Sequence, residues 1–328
     1  MALDTSGSAE REGSFFYRKL GNVSVVVGGV GTVPVELTIP GTLGGLPIAG
    51  IWNDAFWRKS LTSVTIPNGV THIGNSAFSN NSLTTVTIPD SVTHIGDSAF
   101  SNNSLTFVNI PNSVTSIGEG AFYNNRLTSV VIPDSVTSIS FNPFGSNDDL
   151  ASINVSSGNQ NFSSMDGVLY DKAGTTLLSW PKAKSPVIIP DGVAGIGKEA
   201  FSDNGITSVT IPSSVTSIGE WAFAGNELTV VTIPESVTSI ADYAFAGNNI
   251  TSVTIPDSVT IIGGGAFGDH SYSINNLTSI TIGANVDIRD DWSMGEYGAE
   301  FLDLYNDNGK LAGTYTFDEK VEIWSRQN

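Results

Sequence analysis

A phrase that recurs every 22 residues constrains the fold more than any other feature of the sequence. Its consensus is L-T-x-V-x-I-P-x-S-V-T-x-I-G-x-x-A-F-x-x-N-x. Copies begin at Leu61, Leu83, Leu105, Leu127, Ile206, Leu228 and Ile250, and a stretched copy begins at Leu277. One copy is too small to bury its own apolar residues, whereas stacked copies shield one another from water. The spacing therefore predicts a mainly β leucine-rich repeat solenoid of stacked 22-residue β-coils, capped at both ends.

Within each copy, the order of apolar and polar residues predicts two buried walls. Residues 63–66 read Ser-Val-Thr-Ile, so a half-buried strand is expected to point the Val and the Ile inward. Pro67 lacks a backbone N–H and ends this strand. Val70 and Ile73 supply a second buried segment on the opposite wall, and the Ala-Phe pair closes the coil. Short turns or helical turns are expected on the convex side.

The repeat is interrupted in the middle of the chain and lost at both ends, which divides one continuous solenoid domain into segments. These are a disordered or artificially added tail (1–14), an N-terminal cap with a first degenerate coil (15–60), regular repeats (61–149), irregular coils with a hairpin-like insert (150–190), regular repeats (191–282) and a C-terminal cap (283–328). In the insert, Met165–Pro181 reads as two strands around the Asp171–Gly174 turn. In the C-terminal cap, Phe301–Tyr305 and Gly313–Phe317 are expected to form a hairpin.

An asparagine stands two residues before the first apolar residue of each copy. A buried amide needs hydrogen-bond partners, and Asn offers both donors and an acceptor to backbone groups of its own and adjacent coils. The sequence therefore predicts a structural ladder formed by Asn81, Asn103, Asn125, Asn204, Asn226, Asn248 and Asn275.

The phrase L-T-x-V-x-I-P followed by V-T-x-I-G-x-x-A-F resembles the BspA-like leucine-rich repeats of bacterial surface proteins, a type also seen in spirochaetes. The resemblance covers roughly residues 35–282, and the flanks look like the caps of that family. It implies a leucine-rich repeat fold, an exported or surface location, and a role in adhesion or host interaction. Many members of the family have Cys where this chain has the Asn column, so the chain departs from that variant.

Charge and composition exclude several classes of function. The net charge of −18 disfavours nucleic acid and anionic lipid as partners. The absence of cysteine excludes disulfides, thiol catalysis and Cys-ligated zinc. No apolar run approaches the ~18 residues that a membrane span needs, so no membrane insertion is expected. No signal-peptide core precedes the repeats, which is expected either of an exported protein whose export signal lies outside this sequence or of a cytoplasmic protein. The extracellular or cell-surface location is what the family resemblance implies.

No motif of a common catalytic site occurs, and no enzyme activity or cofactor is predicted. The glycine-rich Gly28–Gly31 does not lead into a helical pattern, so it is interpreted as a turn. His72 and His94 occupy one column of adjacent coils, where Cβ atoms lie ~5 Å apart and could suit a metal. Ser116 follows in that column, so surface histidines copied with the repeat are the preferred interpretation. With His270 as the only other histidine, no metal site is predicted.

Acidic residues are denser near the C-terminus than elsewhere in the chain. They are Asp287, Asp290, Asp291, Glu296, Glu300, Asp303 and Asp307. Their spacing matches no calcium-binding loop, and solubility is the preferred interpretation. A divalent-cation site in this segment stays open as an alternative.

The outward-facing columns are mostly Ser and Thr, and a few larger residues interrupt them. Phe107 and Val131 do so in consecutive coils, with Asn109 beside them. Trp221 and Tyr243 precede the Ala-Phe pair of adjacent coils, where other coils carry Ser or Gly. Exposed aromatic and apolar side chains often anchor partners, so these five residues are predicted to bind a protein or glycan. Incidental exposure of strand residues and partial packing against the next coil are the alternatives.

These observations predict a non-catalytic binding or adhesion module of a bacterial surface or secreted protein, which acts as a monomer. An ice-binding or other surface-binding solenoid is one alternative, because Ser/Thr-x-Thr rows resemble the threonine lattices of β-solenoid antifreeze proteins. A structural spacer within a larger surface protein is another.

Overall fold

The stacked coils predicted from the repeat are present, and the predicted fold class is confirmed. The chain is a mainly β solenoid of about 12 stacked turns of roughly 22 residues. The computed structural model describes residues 8–29, 31, 33–268, 275–290, 293–295 and 297–327. Backbone contacts divide the chain into two units, residues 1–167 and 168–328. That the two units form one continuous domain stays a prediction.

The first unit is built from short strands, most of them two to four residues long. They are β1 (Glu10–Glu12), β2 (Phe15–Leu20), β3 (Val23–Gly29), β4 (Glu36–Thr38), β5 (Thr42–Leu43), β6 (Leu46–Ile51), β7 (Ser63–Thr65), β8 (His72–Ile73), β9 (His94–Ile95), β10 (Ser116–Ile117), β11 (Ser129–Ile132), β12 (Ser138–Ile139), β13 (Ser152–Val155) and β14 (Phe162–Met165).

The main sheet of the first unit runs through the V-T-x-I segments of successive coils. Its order is β1-β2-β3-β6-β8-β9-β10-β12, with β5 beside β6, and it is parallel from β6 to β12. His72 pairs with His94 and His94 with Ser116, so the register advances by one repeat per strand. The opposite wall has the parallel pairs β4-β7 and β11-β13. There, Val64 and Ile66 are buried as the alternation predicts.

The N-terminal tail, for which either disorder or artificial addition was expected through residue 14, is ordered at Glu10–Glu12. These residues form β1, which pairs antiparallel with β2. The Tyr17 hydroxyl donates to the Glu10 carboxylate at 2.9 Å, and the Lys19 ammonium lies 3.1 Å from the same group. Two partners for one carboxylate, added to the backbone pairing, hold the segment on the sheet.

The turn expected at Gly28–Gly31 is wrong for Gly28 and Gly29, which end β3 and pair with Phe16 and Phe15 of β2. Residues 1–7, Val30 and Thr32 lie outside the described residues.

The second unit repeats this plan with a helix near its end. Its elements are β15 (Val168–Asp171), β16 (Thr176–Ser179), β17 (Gly195–Ile196), β18 (Ser217–Ile218), β19 (Val230–Thr232), β20 (Ser239–Ile240), β21 (Ser252–Ile255), β22 (Ile261–Ile262), β23 (Ser279–Ile282), β24 (Asp287–Ile288), α1 (Gly298–Asp307), β25 (Gly313–Asp318) and β26 (Ile323–Arg326). β15 and β16 form an antiparallel hairpin. One sheet continues β16-β17-β18-β20-β22-β24, and the other is β19-β21-β23-β25-β26.

The C-terminal cap differs from the hairpin expected at Phe301–Tyr305, because this segment lies in α1. Phe301 and Tyr305 are four residues apart, so a helix places both on one face, and both are buried against Tyr315. The actual hairpin joins β25 to β26, and β25 pairs antiparallel with β23 and covers the end of that sheet. Among the described residues no helix is long and apolar enough to cross a membrane.

A column of stacked rings fills the interior of each unit. In the first unit, Phe56, Phe78, Phe100, Phe122 and Phe144 stack with centroids 5.4–5.9 Å apart. In the second, Trp180, Phe201, Phe223, Phe245 and Phe267 stack at 4.9–5.4 Å. All of these rings are buried. Trp180 thus takes the place of a Phe in this column, which the repeat consensus did not predict.

The repeat glycine explains how closely the coils approach. A Cβ on Gly74 would lie 2.6 Å from the backbone nitrogen of Asn53 in the preceding coil. That separation is far inside van der Waals contact, so only glycine fits here without moving the neighbouring coil.

Candidate binding surfaces

Buried asparagine side chains bind the backbones of neighbouring coils. Asn248 Nδ2 donates to the carbonyls of Phe223 and Phe245, both at 2.9 Å, and its Oδ1 accepts from the Leu228 N–H at 3.1 Å. The same pattern recurs at Asn81, Asn103, Asn125, Asn226 and Asn275. Asn204 differs, since its Nδ2 donates to the Trp180 carbonyl and its own N–H donates to Asn226. These amides serve the fold rather than a ligand.

Asn147 makes the same contacts, and sequence analysis missed it. It is fully buried, donates to the Phe122 and Phe144 carbonyls at 3.0 and 2.8 Å, and accepts from the Leu127 N–H at 2.9 Å. One extra residue separates it from Leu150, which hides it from a search for Asn two residues before an apolar residue. Its distance of one repeat from Asn125 is the signal that could have found it.

The strand face of the first unit carries two exposed apolar side chains. Phe107 is 65% exposed and Val131 is 55% exposed. Val131 lies in β11, opposite Asn154 of β13, whereas Phe107 lies outside the assigned strands. Asn109 is also exposed and lines a recess of about 400 Å³ with Asp90 and Asn112. The two apolar side chains stand one coil apart on a face whose other side chains are mostly Ser, Thr and Asn, with Glu36 beside Ser63.

Trp221 and Tyr243 form a stacked aromatic pair on the second unit. Their ring centroids are 4.2 Å apart and their planes differ by 10°. The indole N–H of Trp221 donates to the Glu220 carboxylate at 3.1 Å. The Tyr243 ring fills the space over Gly265, where a Cβ would lie 2.4 Å from Cε1. Tyr243 is 38% exposed and Trp221 is half-buried, so rings that are partly packed together still reach solvent.

The backbone of this aromatic pair is left-handed. The same position of every regular coil has φ between 43° and 59°, and its occupants are Asp54, Ser76, Ser98, Gly120, Asn142, Glu199, Trp221, Tyr243 and Gly265. Small or turn-forming residues tolerate this conformation best, and a bulky aromatic residue is unusual there. The fold therefore needs the left-handed backbone but does not need aromatic side chains on it.

His72 and His94 lie in a groove of about 510 Å³ on the main sheet of the first unit. Their rings are stacked, with centroids 4.5 Å apart and planes within 10°. Trp52, Asn75 and Asp97 are among the other lining residues. Partial burial lowers the pKa of His72, and the neighbouring His94 lowers it further because two adjacent imidazolium ions repel. His270 lies outside the described residues.

The acidic C-terminal segment is used partly within the fold. Asp290 accepts from the Ser293 hydroxyl at 2.6 Å and from the Gly265 N–H at 3.2 Å. Asp291 and Glu296 lie outside the described residues. Across the described ranges, no group of three or more His, Cys, Asp or Glu side chains could hold a metal ion.

Solved structures similar to this chain are bacterial leucine-rich repeat proteins. The pneumococcal vaccine antigen PcpA has a TM-score of 0.65 and 24% identity, covering 85% of this chain and 82% of that one. A leucine rich cell surface protein from Faecalibacterium prausnitzii has a TM-score of 0.55 and 26% identity, covering 88% and 97%. A leucine-rich repeat protein from Eubacterium ventriosum has a TM-score of 0.56 and 24% identity, covering 88% and 75%. No curated protein matches the chain.

The family comparison agrees with the repeat and with the fold. The model of the BspA type leucine rich repeat region matches residues 50–165 and 182–296 in six copies, which is well over half of the chain. The resemblance drawn from the phrases that begin at Leu61 and Leu83 is thereby confirmed. The chain belongs to the BspA-type leucine-rich repeat family.

Proposed function

We propose that this chain is a non-catalytic binding module of a bacterial surface or secreted protein, and that it docks a protein partner through Trp221 and Tyr243. The observation that carries the proposal is the placement of two aromatic residues on a left-handed backbone. This conformation costs a non-glycine residue roughly 1–2 kcal/mol. Ser76 and Ser98 fill the same position in other coils, so packing of the coil does not require the rings.

The geometry of the pair favours a protein over a glycan. A sugar ring stacks on an open aromatic face, but Trp221 and Tyr243 cover one face of each other, and Tyr243 also covers Gly265. This stacking reduces the open ring surface available to a sugar, and the exposed ring edges suit packing against apolar and aromatic side chains of a protein. Phe107 and Val131 offer a second apolar area of the same kind, on the first unit.

A surface or secreted location is supported by similarity to the leucine rich cell surface protein from F. prausnitzii. A Ser/Thr-rich surface with few basic groups also suits a protein that meets other proteins outside the cell, because it attracts neither nucleic acid nor anionic lipid.

The test measures binding of the purified chain to a panel of purified extracellular proteins and to a glycan array. Trp221 and Tyr243 are both replaced by Ser, the residue of other coils, and Val230→Ser serves as a control that removes one exposed apolar side chain elsewhere. The two stacked rings act as one hot spot of at least about 2 kcal/mol, so their loss should weaken protein binding by more than about 30-fold. Equal binding by the wild type and the double variant would refute the proposed site. Binding to the glycan array alone would replace the protein partner with a glycan.

A further inference from the structure

The groove that holds His72 and His94 is a trough along the stack of the first unit. Its floor follows the column of the repeat glycine, which in five successive coils is occupied by Trp52, Gly74, Gly96, Gly118 and Ser140. Three coils in a row therefore leave the floor without a side chain. Trp52 and Ser140 bound this bare stretch and lie four strands apart, which is about 19 Å at the usual strand spacing.

Two rows of polar side chains flank the floor of the trough. One row consists of His72, His94, Ser116 and Ser138, and the other of Asn53, Asn75 and Asp97. The second row is bonded along the stack, since Asn53 Oδ1 accepts from the Asn75 N–H at 2.8 Å and Asn75 Nδ2 donates to the Asp97 carboxylate at 3.1 Å. These bonds hold one side of the trough in place.

The two histidines contribute hydrogen-bond acceptors to the other side. The Thr71 hydroxyl lies 2.9 Å from the Ala49 carbonyl and the Thr93 hydroxyl lies 3.0 Å from the Thr71 carbonyl, so each hydroxyl hydrogen is donated to the preceding coil. His72 Nδ1 is 2.8 Å from Thr71 Oγ1, and His94 Nδ1 is 2.7 Å from Thr93 Oγ1. Each Nδ1 must therefore carry the hydrogen, and each neutral ring keeps an acceptor at Nε2.

Trp52 contributes an aromatic surface and a hydrogen-bond donor. Over the described ranges, its half-buried ring stacks on no other ring and its indole N–H has no partner, nor has Nδ2 of Asn53. The indole N–H groups of Trp180, Trp221 and Trp324 are all bonded within the protein. The trough thus combines an open aromatic face, donors and acceptors.

We propose that the trough binds a neutral oligosaccharide, with one sugar ring on Trp52 and the following sugar units along the bare glycines. The C–H groups of a sugar ring pack on an aromatic face, which is negative at its centre. A sugar hydroxyl both donates and accepts, so it can pair with the imidazole Nε2 atoms as well as with the Trp52 and Asn53 donors.

The charge and the backbone of the trough disfavour other ligands. Lys and Arg are absent from the described residues that line it, so an anionic ligand would find no countercharge there. A polycation could use the acceptors but not the donors. An extended peptide that adds a strand needs free backbone groups, but the N–H groups of Gly74, Gly96 and Gly118 already donate to the preceding coil.

The test starts with binding of the full chain to an array of neutral, sialylated and sulfated oligosaccharides. The neutral oligosaccharide with the highest signal is then titrated calorimetrically, with polylysine in parallel. Trp52→Ser and His72→Ser introduce the residue that Ser140 or Ser116 already supplies in the same column, so both variants should fold, which thermal unfolding checks. Affinity should fall at least about tenfold in Trp52→Ser, because an aromatic face and a donor are lost together. In His72→Ser, which loses one acceptor, it should fall about two- to tenfold.

Trp57→Ser is the matched control. Trp57 is exposed, carries the Arg58 guanidinium 4.5 Å from its ring centroid and does not line the trough, so its loss should leave affinity unchanged. The double replacement of Trp221 and Tyr243 by Ser should also leave glycan affinity unchanged, which separates this site from the proposed protein-docking site. Failure of every neutral glycan to bind, binding of polylysine alone, or equal affinity in Trp52→Ser and Trp57→Ser would overturn the proposal.

Discussion

Replacement of Asn248 by Ala tests whether the buried amides hold the coils together. The Leu228 N–H has the Asn248 Oδ1 as its partner and would be left unpaired inside the protein. The two carbonyls that Asn248 binds each keep a second amide, because Phe223 also accepts from Asn226 and Phe245 also accepts from Asn275. One orphaned donor costs about 1–3 kcal/mol, and two weakened acceptors add a smaller amount, so we expect a loss of about 2–4 kcal/mol.

The assay is equilibrium urea unfolding followed by far-UV circular dichroism, with hydrogen exchange of the Leu228 amide as a local measurement. Asn249→Ala is the matched control, because Asn249 is the next residue and is exposed, and its change should stay within about 0.5 kcal/mol. Asn248→Asp keeps the acceptor for Leu228 but faces two carbonyls with a carboxylate, so it should destabilise the fold at neutral pH. If Asn248→Ala unfolds at the same urea concentration as Asn249→Ala and Leu228 stays protected, the reasoning is wrong.

Three further predictions concern the ring column, the aromatic pair and the histidines. Phe100→Ala should lower the free energy of unfolding by about 3–5 kcal/mol in urea titrations, because it empties a site between two stacked rings; a loss below about 1 kcal/mol would contradict this. Replacing both Trp221 and Tyr243 by Asn should change stability by less than about 1.5 kcal/mol, since relief of left-handed strain offsets the lost stacking; a larger loss in thermal unfolding would assign the rings to the fold. The melting temperature should fall more in the wild type than in His94→Ser as the pH drops below about 6.5, the usual pKa of histidine in an unfolded chain. The pKa of His72 is lower in the folded chain than in the unfolded chain, so below about pH 6.5 the unfolded chain binds more protons at His72. The stability that this group contributes above that pH is therefore lost as the pH falls, and His94 adds to the loss. Equal falls of the melting temperature in the two proteins would contradict the coupling of the two histidines.

The repeat made the structure of the coil predictable because each position of the consensus satisfies one local structural requirement. Val64 and Ile66 alternate with polar residues, Gly74 lies where no Cβ fits, and the Phe column needs one ring per coil. Most coils meet these requirements with the same residues, although Ser140 and Ala241 occupy the Gly column, so a single sequence contains many copies of the evidence.

The sequence-based prediction of secondary structure and core residues was wrong or incomplete where a segment does not follow the repeat consensus. Phe301 and Tyr305 have helical spacing, but their flanking Gly and Asn residues suggested turns between strands. Trp180 replaces a Phe in an irregular coil, so the consensus gave no signal for it. The hydrogen bond from the Thr71 hydroxyl to the Ala49 carbonyl was beyond sequence reasoning, because it depends on which carbonyl of the preceding coil faces the hydroxyl.

The backbone and side-chain bonds between coils advance by a fixed 22 residues, from Thr93 to Thr71 and from Thr115 to Thr93. A gene that loses or duplicates a stretch encoding whole copies can therefore rejoin every such bond, and loss of residues 83–104 would bring Leu105 directly after Ser82 with the phrase intact. Gain or loss of another length must be absorbed in a loop between these partners, as in the coil where Asn275 keeps the ladder bonds although it lies 27 residues after Asn248. The stack can thus gain or lose whole coils over evolution, whereas other changes of length are confined to the loops of single coils.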